Sequence, residues 1–402
     1  MTGPKNHIRP SIPKHLPFAV EEYRERIEKV RVAMAQRGID VLYVTSPANL
    51  YYLTGYQAIW YPNRLPLGAV LQRTDEAVVF FDWTRHVSYV STQVLCDEVV
   101  LMDYANATDI VAQAFAHYGW IGQSVGLEWF SSNPAAPIMS ALADVLRLAG
   151  STVVCGDWLV DQVRLYKSPA ELQRIRRAAT IADSAMLLLQ GALRPGLTEI
   201  EVSALLTSLL AARGSEVAAT PPLVNSGPTA WSDTHAFPTR RALETGDVVA
   251  VDCCAVIDRY HANLARTFAI GRANARAAEM LDQAAGSILE LQGAARPGEG
   301  PEAAAAAATT YVRAHIPAEN IWWVGGYSLG IAFPPSWVGH CYLANDGVEK
   351  CQLRPGFVSN YENVFSDARD GFEASFIDTI VMTEHGLDVL SQIPRGLLLA
   401  DD

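Results

Sequence analysis

The chain has little basic charge. Its 31 lysines and arginines are outnumbered by 43 acids, and the formal net charge is −12. Phosphate binding needs basic surface, so nucleic acid is excluded as an expected partner, whereas a small cation is not. Cysteine is also scarce: six residues, at 96, 155, 253, 254, 341 and 351, with no Cys-x-x-Cys pair and no regular spacing. That excludes a disulfide-built fold and fits reduced thiols buried as small apolar groups. No stretch approaches the ~20 apolar residues of a membrane span. The N-terminal MTGPKNHIRPSIPKHLPF carries no apolar core of the kind a signal peptide needs. The expected setting is cytoplasmic, with no membrane partner.

Apolar material is plentiful. Half of the residues are hydrophobic and only 18% are charged, so a large core is easily filled, and 402 residues suggest more than one domain. Residues 1–17 are polar, with Pro10, Pro13 and Pro17, and read as an arm able to drape over a partner subunit. From Glu21 the apolar positions Tyr23, Ile27, Val30 and Met34 recur at helical spacing until Gly38 stops them. Short strands at Val41–Val44, Gly68–Leu71 and Ala77–Phe81, with helices around Asp109–His117 and Ala135–Leu148, make an α/β domain over 18–160. A second domain, 161–402, follows. Its first helix is announced by Lys167-Ser168-Pro169, because proline is tolerated in a helix's first turn. Arg194-Pro195-Gly196 and Arg296-Pro297-Gly298 introduce two further helices in matching style.

The most informative stretch is Val248–Phe268, VVAVDCCAVIDRYHANLARTF, a β-branched run carrying Asp252, then a turn, then a second strand ending in Arg266-Thr267. It predicts a hairpin. His235 lies seventeen residues before Asp252, and Tyr361-Glu362-Asn363 and Phe376-Ile377-Asp378-Thr379 come later. Together with Ser46-Pro-Ala-Asn-Leu-Tyr-Tyr-Leu-Thr-Gly55, this pattern resembles the creatinase, methionine aminopeptidase and prolidase superfamily over nearly the whole chain. The resemblance implies an α+β chain: a C-terminal pita-bread fold behind an α/β creatinase-type N-terminal domain.

Metal-dependent members of that superfamily hold two divalent ions with two Asp, a His and two Glu. At the matching positions this chain carries Asp252, Asn263, Tyr327, Glu362 and Ile377. Two carboxylates and no imidazole are too few for two hard or borderline divalent ions, so no metal and no cofactor is expected. The metal-poor branch of the superfamily includes ectoine hydrolase and creatinase, which break C–N bonds in carboxylated amidines or guanidines. The segments Arg259–Thr267, Tyr327–Trp337 and Ile393-Pro394-Arg395 look more like ectoine hydrolase, although Asp252 stands where that type carries Glu.

The resemblance makes His235, Glu362 and Asp252 the catalytic candidates. His235 would deprotonate a water, since an imidazole takes and returns protons near neutral pH, and Glu362 and Asp252 would hold amidinium N–H groups. Asp252 could equally serve only to bond backbone in the hairpin. Substrate-binding candidates are Tyr327, Arg64, Trp60, Tyr61, Trp231, His261 and Trp337. Arg64 would hold a substrate carboxylate as a fork, or else be a solvated loop residue; His261 has a structural reading alongside. The aromatics could hold a delocalised cation by their faces. The expected function is metal-independent hydrolysis of a carboxylated cyclic amidine such as ectoine or 5-hydroxyectoine, in a homodimer. The alternatives are a creatinase-type amidinohydrolase and a non-catalytic ligand-binding relative.

Overall fold

The computed structural model describes residues 7–10, 14–58, 63–232, 235–344 and 350–400. The chain divides into two compact units, Met1–Arg164 and Leu165–Asp402.

The first unit runs β1 (His7–Ile8), α1 (Val20–Arg37), β2 (Val41–Val44), α2 (Pro47–Thr54), β3 (Gly68–Gln72) and β4 (Val78–Trp83). It continues with α3 (Val87–Gln93), β5 (Glu98–Met102), α4 (Ala107–His117), β6 (Ser124–Leu127), α5 (Ala136–Leu148), β7 (Thr152–Cys155) and α6 (Leu159–Arg164). The strands form one sheet in the order β1-β5-β4-β3-β2-β6-β7. Helix α1 ends where expected, at Gly38 in the left-handed region (φ 66°), a conformation that favours glycine. Tyr43, Phe81, Phe115 and Leu142 lie in the core. Part of the expected arm is a strand of the chain's own sheet: His7 and Ile8 pair with Val100 and Val99. Glu128, just beyond β6, accepts from the backbone N–H groups of Thr45 and Ser46 at 2.6 Å each. The N-terminus of α2 is thereby filled by a carboxylate from within the unit.

The second unit opens with α7 (Pro169–Gln190) and α8 (Glu199–Ala212). Both start with a capping box, Ser168 with Glu171 and Thr198 with Glu201. Then come β8 (Leu223–Ser226), β9 (Val248–Ile257), β10 (Tyr260–Ile270), α9 (Ala275–Ala285), α10 (Ser287–Ala294) and α11 (Glu302–His315). The unit closes with β11 (Ile321–Gly325), β12 (Val358–Asp367), β13 (Phe372–Thr383), β14 (Gly386–Val389) and β15 (Leu398–Ala400). These strands make a sheet in the order β11-β12-β13-β10-β9-β8, with β14 against β13 and β15 against β10. The predicted hairpin is β9–β10. It turns through Asp258 and Arg259, both at positive φ (48° and 62°), as a two-residue turn between twisted strands requires. Arg259 is held there by its guanidinium, which donates to the carbonyls of Val217 and Ala332.

Strands β10 and β13 meet closely only at Ala265 and Ile377. On either side a threonine hydroxyl replaces the missing ladder. Thr379 Oγ1 accepts from Asn263 N (2.8 Å) and donates to Asn263 O (2.9 Å). Thr267 Oγ1 accepts from Ser375 N (2.7 Å) and donates to Ser375 O (2.8 Å). The backbone stays satisfied while the strands splay and the sheet curls.

Side chains alternate along strands, so the register sorts them between faces. Asp252 and Cys254, Asn263, Ile377 and Thr379, and Asn360 and Glu362 share one face. The other carries Phe365, Phe376 and Phe357 into a core with Met280, Leu281 and Val312 of the helices. There Tyr361 bonds Ser287, and Arg266 pairs with the fully buried Asp378 at 2.8 Å.

Candidate active site

The polar face is organised by two asparagines. Asn263 Nδ2 donates to Asp252 Oδ1 at 2.6 Å and to the Cys253 carbonyl at 3.1 Å. Its Oδ1 accepts from Asn360 Nδ2 at 2.9 Å. Asn360 Nδ2 also donates to Glu362 Oε1 at 2.6 Å, and Asn360 Oδ1 accepts from the Tyr327 N–H at 2.8 Å. One continuous path thus joins the two carboxylates, Asp252 to Asn263 to Asn360 to Glu362, with each amide oriented by its own partners.

Tyr327 and Trp337 extend this path. The Trp337 indole N–H donates to the Tyr327 hydroxyl at 3.0 Å, and that hydroxyl lies close enough to Glu362 to favour its charged form. The Trp323 indole N–H lies close enough to Glu362 to favour its charged form, yet it makes no hydrogen bond of ordinary geometry.

Neither Asp252 nor Glu362 forms an ion pair among the described residues. Burial pushes the Glu362 carboxyl up to about 7, against the opposing pull of Tyr327 and Asn360. Burial raises Asp252 well above the usual carboxylate range, and the negative charge of Glu362 beside it adds to the shift while Asn263 opposes it. Two neighbouring buried carboxyls without a cation favour holding a proton between them, and an incoming cation would take that proton's place. Tyr327 is raised by burial and then by the same two acids, so it stays a neutral hydroxyl donor.

The structure therefore brings together Asp252, Glu362, Tyr327 and Trp337. His235 is exposed in the loop between β8 and β9, with its ring edge-on to Trp322 at 5.2 Å. Trp322 belongs to β11, the strand beside that of Glu362. Trp231, 39% exposed, sits on a 3-10 turn, Ala230–Ser232, that packs on β12 and β13. Arg64 is exposed in the first unit. Trp60 and Tyr61 lie outside the described residues.

One assignment is corrected. His261 does not face a substrate: its Nδ1 is 2.9 Å from the Arg259 carbonyl, its Nε2 accepts from Ala219 N at 3.1 Å, and it is completely buried. Burial lowers its pKa to about 3, so it is a neutral imidazole that ties the hairpin turn to the segment before β8.

Several residues of the face escaped the sequence reading. Asn263 stands at a ligand position of the metal-dependent members and is instead the hub of the path; Asn360 carries no motif, and its one signal is its position two residues before Glu362. Cys254, two residues after Asp252, is a buried thiol raised well above its usual range by burial and by that acid. Glu373, also buried, accepts from Asn225 Nδ2 at 2.9 Å and adds to the negative potential at Asp252.

The donor set does not fit a pair of divalent ions. Asn263 turns an N–H toward Asp252, the Tyr327 hydroxyl already accepts from Trp337, and Ile377 offers no ligand atom. Among the described residues no group of three or more His, Cys, Asp or Glu is arranged to hold a metal. What the face can do is bind a cation through two carboxyls and pass a proton at near-neutral pH.

Known proteins resemble this chain along nearly all of its length. Uncharacterized hydrolase/peptidase y4tM of Sinorhizobium fredii is 27% identical over 403 residues, covering 96% of this chain and 99% of that protein. The ectoine hydrolase of Halomonas elongata is 26% identical over 426 residues, covering 96% and 98%. Among solved structures, the Xaa-Pro dipeptidase from Bacillus anthracis superposes with a TM-score of 0.80 at 23% identity, covering 94% and 99%, which shows a shared fold. Residues 26–165 match the Creatinase/Prolidase N-terminal domain and residues 173–384 match Metallopeptidase family M24, so the chain belongs to family M24, a family of hydrolases with the pita-bread fold.

Proposed function

We propose that this protein hydrolyses a C–N bond in a carboxylated cyclic amidine of the ectoine or 5-hydroxyectoine type, without a metal ion. The observation that carries the reading is the buried pair Asp252 and Glu362, joined through Asn263 and Asn360, with no cation among the described residues. An amidinium has the planar N–H groups and the positive charge that such a pair lacks. The similarity to a Halomonas elongata ectoine hydrolase supports the same substrate class.

In the proposed reaction the two carboxylates hold the amidinium N–H groups while His235 takes a proton from water. The resulting hydroxide adds to the amidine carbon. Protonated His235 then returns the proton to the leaving nitrogen, the C–N bond breaks, and the ring opens with net gain of one water. His235 suits this role by its exposure and its contact with Trp322 on the strand next to Glu362. The working species is proposed to be a cytoplasmic homodimer, with Arg64 holding the substrate carboxylate.

The test is mass spectrometry of products from chelator-treated protein incubated with ectoine, 5-hydroxyectoine, creatine and a proline dipeptide. Gain of one water by a cyclic amidine is expected. Cleavage of the dipeptide alone, restored only by added metal, would overturn the reading, and release of urea from creatine would replace the ring substrate by a guanidino acid. His235→Ala is expected to lower kcat by about 10²–10⁴ with the fold intact.

A further inference from the structure

The helix-packed side of the second unit carries a cleft of about 540 Å³, unrelated to the polar face just described. It is lined by α7, α10, β14 and the segment that follows β14, and its volume lies within the range of small-molecule sites. We infer that this cleft binds a small organic acid, a carboxylate carrying a short apolar body.

The polar end of the cleft is built around Arg395. Its Nε donates to Asp378 Oδ2 at 2.6 Å, and Asp378 is completely buried and also paired with Arg266. The guanidinium is therefore fixed in orientation from behind. Among the described residues neither of its Nη nitrogens has a partner, and the residue lines the cleft, so a rigid two-pronged donor is presented to whatever enters. A guanidinium fork matches a carboxylate in plane, with two parallel N–H bonds.

A second arginine adds to the field. Arg176 of α7 also lines the cleft, and its one ion pair, to Asp388 at 3.0 Å, is half-exposed on both sides. Exposed pairs of this kind contribute little, so Arg176 is free to turn toward an anion. Two arginines against Asp388 give the lining itself one surplus positive charge, with Asp378 and Asp183 held behind it. The floor between them is lashed down: Ser391 Oγ donates to Asp183 Oδ1 at 2.6 Å and the Gln392 N–H to Asp183 Oδ2 at 2.9 Å.

The apolar end is Ile288 and Leu289 of α10 with Pro394. Leu289 is 67% exposed, and covering it would remove apolar surface from water. A carboxylate at Arg395 with a short hydrocarbon tail toward Leu289 would satisfy both ends, whereas inorganic phosphate would use only one.

The experiment is a ligand-observed NMR titration of the full-length protein with hexanoate, with hexanol and inorganic phosphate as controls. Saturable hexanoate binding is expected, with little occupancy by either control. Leu289→Asp should weaken it about tenfold and Arg176→Gln about threefold. Both positions are solvent-exposed, and the fold of each variant is checked by circular dichroism. Absence of saturable hexanoate binding, equal occupancy by phosphate or hexanol, or full retention of binding by both variants would overturn the inference.

Discussion

Asn225 and Glu373 are hydrogen-bonded at 2.9 Å although their strands, β8 and β13, are separated in the sheet by β9 and β10. Only a strongly curled sheet can bring them together, and the curl starts where threonine hydroxyls stand in for the β10–β13 ladder. The bond fastens the far edge of the sheet across the polar face and puts a third buried acid on the side of Asp252.

Asn225→Leu removes that fastening and strips Glu373 of the amide donor. The expected loss is about 1–3 kcal/mol of stability, as for a buried polar group deprived of a partner. Urea unfolding of the variant checks it; a midpoint equal to that of the native chain would contradict the role.

The Glu362 carboxyl gives a pH dependence of defined sign. Its folded value of about 7 lies above the ordinary 4.5, so between these values the folded protein keeps a proton that the unfolded chain has released. Stability from this group therefore falls as pH rises from about 4.5 to about 7 and stays lowered above that. Glu362→Gln should gain against the native chain at about pH 8, by at most about 3 kcal/mol, and lose that advantage near pH 4. Urea titrations at both pH values give the comparison.

His261 slopes the other way. Its folded value of about 3 lies below the ordinary 6.5, so below that value the unfolded chain takes up a proton and the folded one does not. Its contribution is present above about pH 6.5 and is lost as pH falls toward 3. His261→Phe should flatten this slope and cost about 1–3 kcal/mol at neutral pH, by stranding the Ala219 N–H and the Arg259 carbonyl. Ligand affinity measured on folded variant should be unchanged.

Metal addition separates the donor set of this chain from that of a metallopeptidase. Manganese or cobalt should leave the Tm of the native chain unmoved, and chelator treatment should leave its turnover intact. The triple variant Asn263→Asp, Tyr327→His, Ile377→Glu restores three donors and should show a metal-dependent rise in Tm of several degrees. Differential scanning calorimetry with and without metal decides between them.

Much of the architecture was legible because its signals are local. Gly38 as a helix stop, Pro169 in a first turn behind Ser168, and the β-branched run through Asp252 each express a backbone preference within a few residues. A turn between the two strands is legible, but its position at Asp258 and Arg259, ahead of Tyr260 and His261, is not, because neither turn residue is the glycine that left-handed geometry favours. His261 sits in a motif-rich stretch and so drew a binding role, while its true partners, Ala219 and Arg259, are backbone groups that no side-chain pattern reveals.

The sequence alone determined the two-part organisation, the β9–β10 hairpin and the retention of Asp252 and Glu362, since each depends on periodicity, capping or motif spacing. Tertiary structure decided which polar groups act together. Asp252 and Glu362 lie 110 positions apart, and the amides that join them reach across β9, β10 and β12 only because the sheet curls and its register puts Asn263 and Asn360 on the same face. Alternation assigns a side chain to a face from local sequence, but strand order and curvature, which come from long-range packing, determine what that face meets.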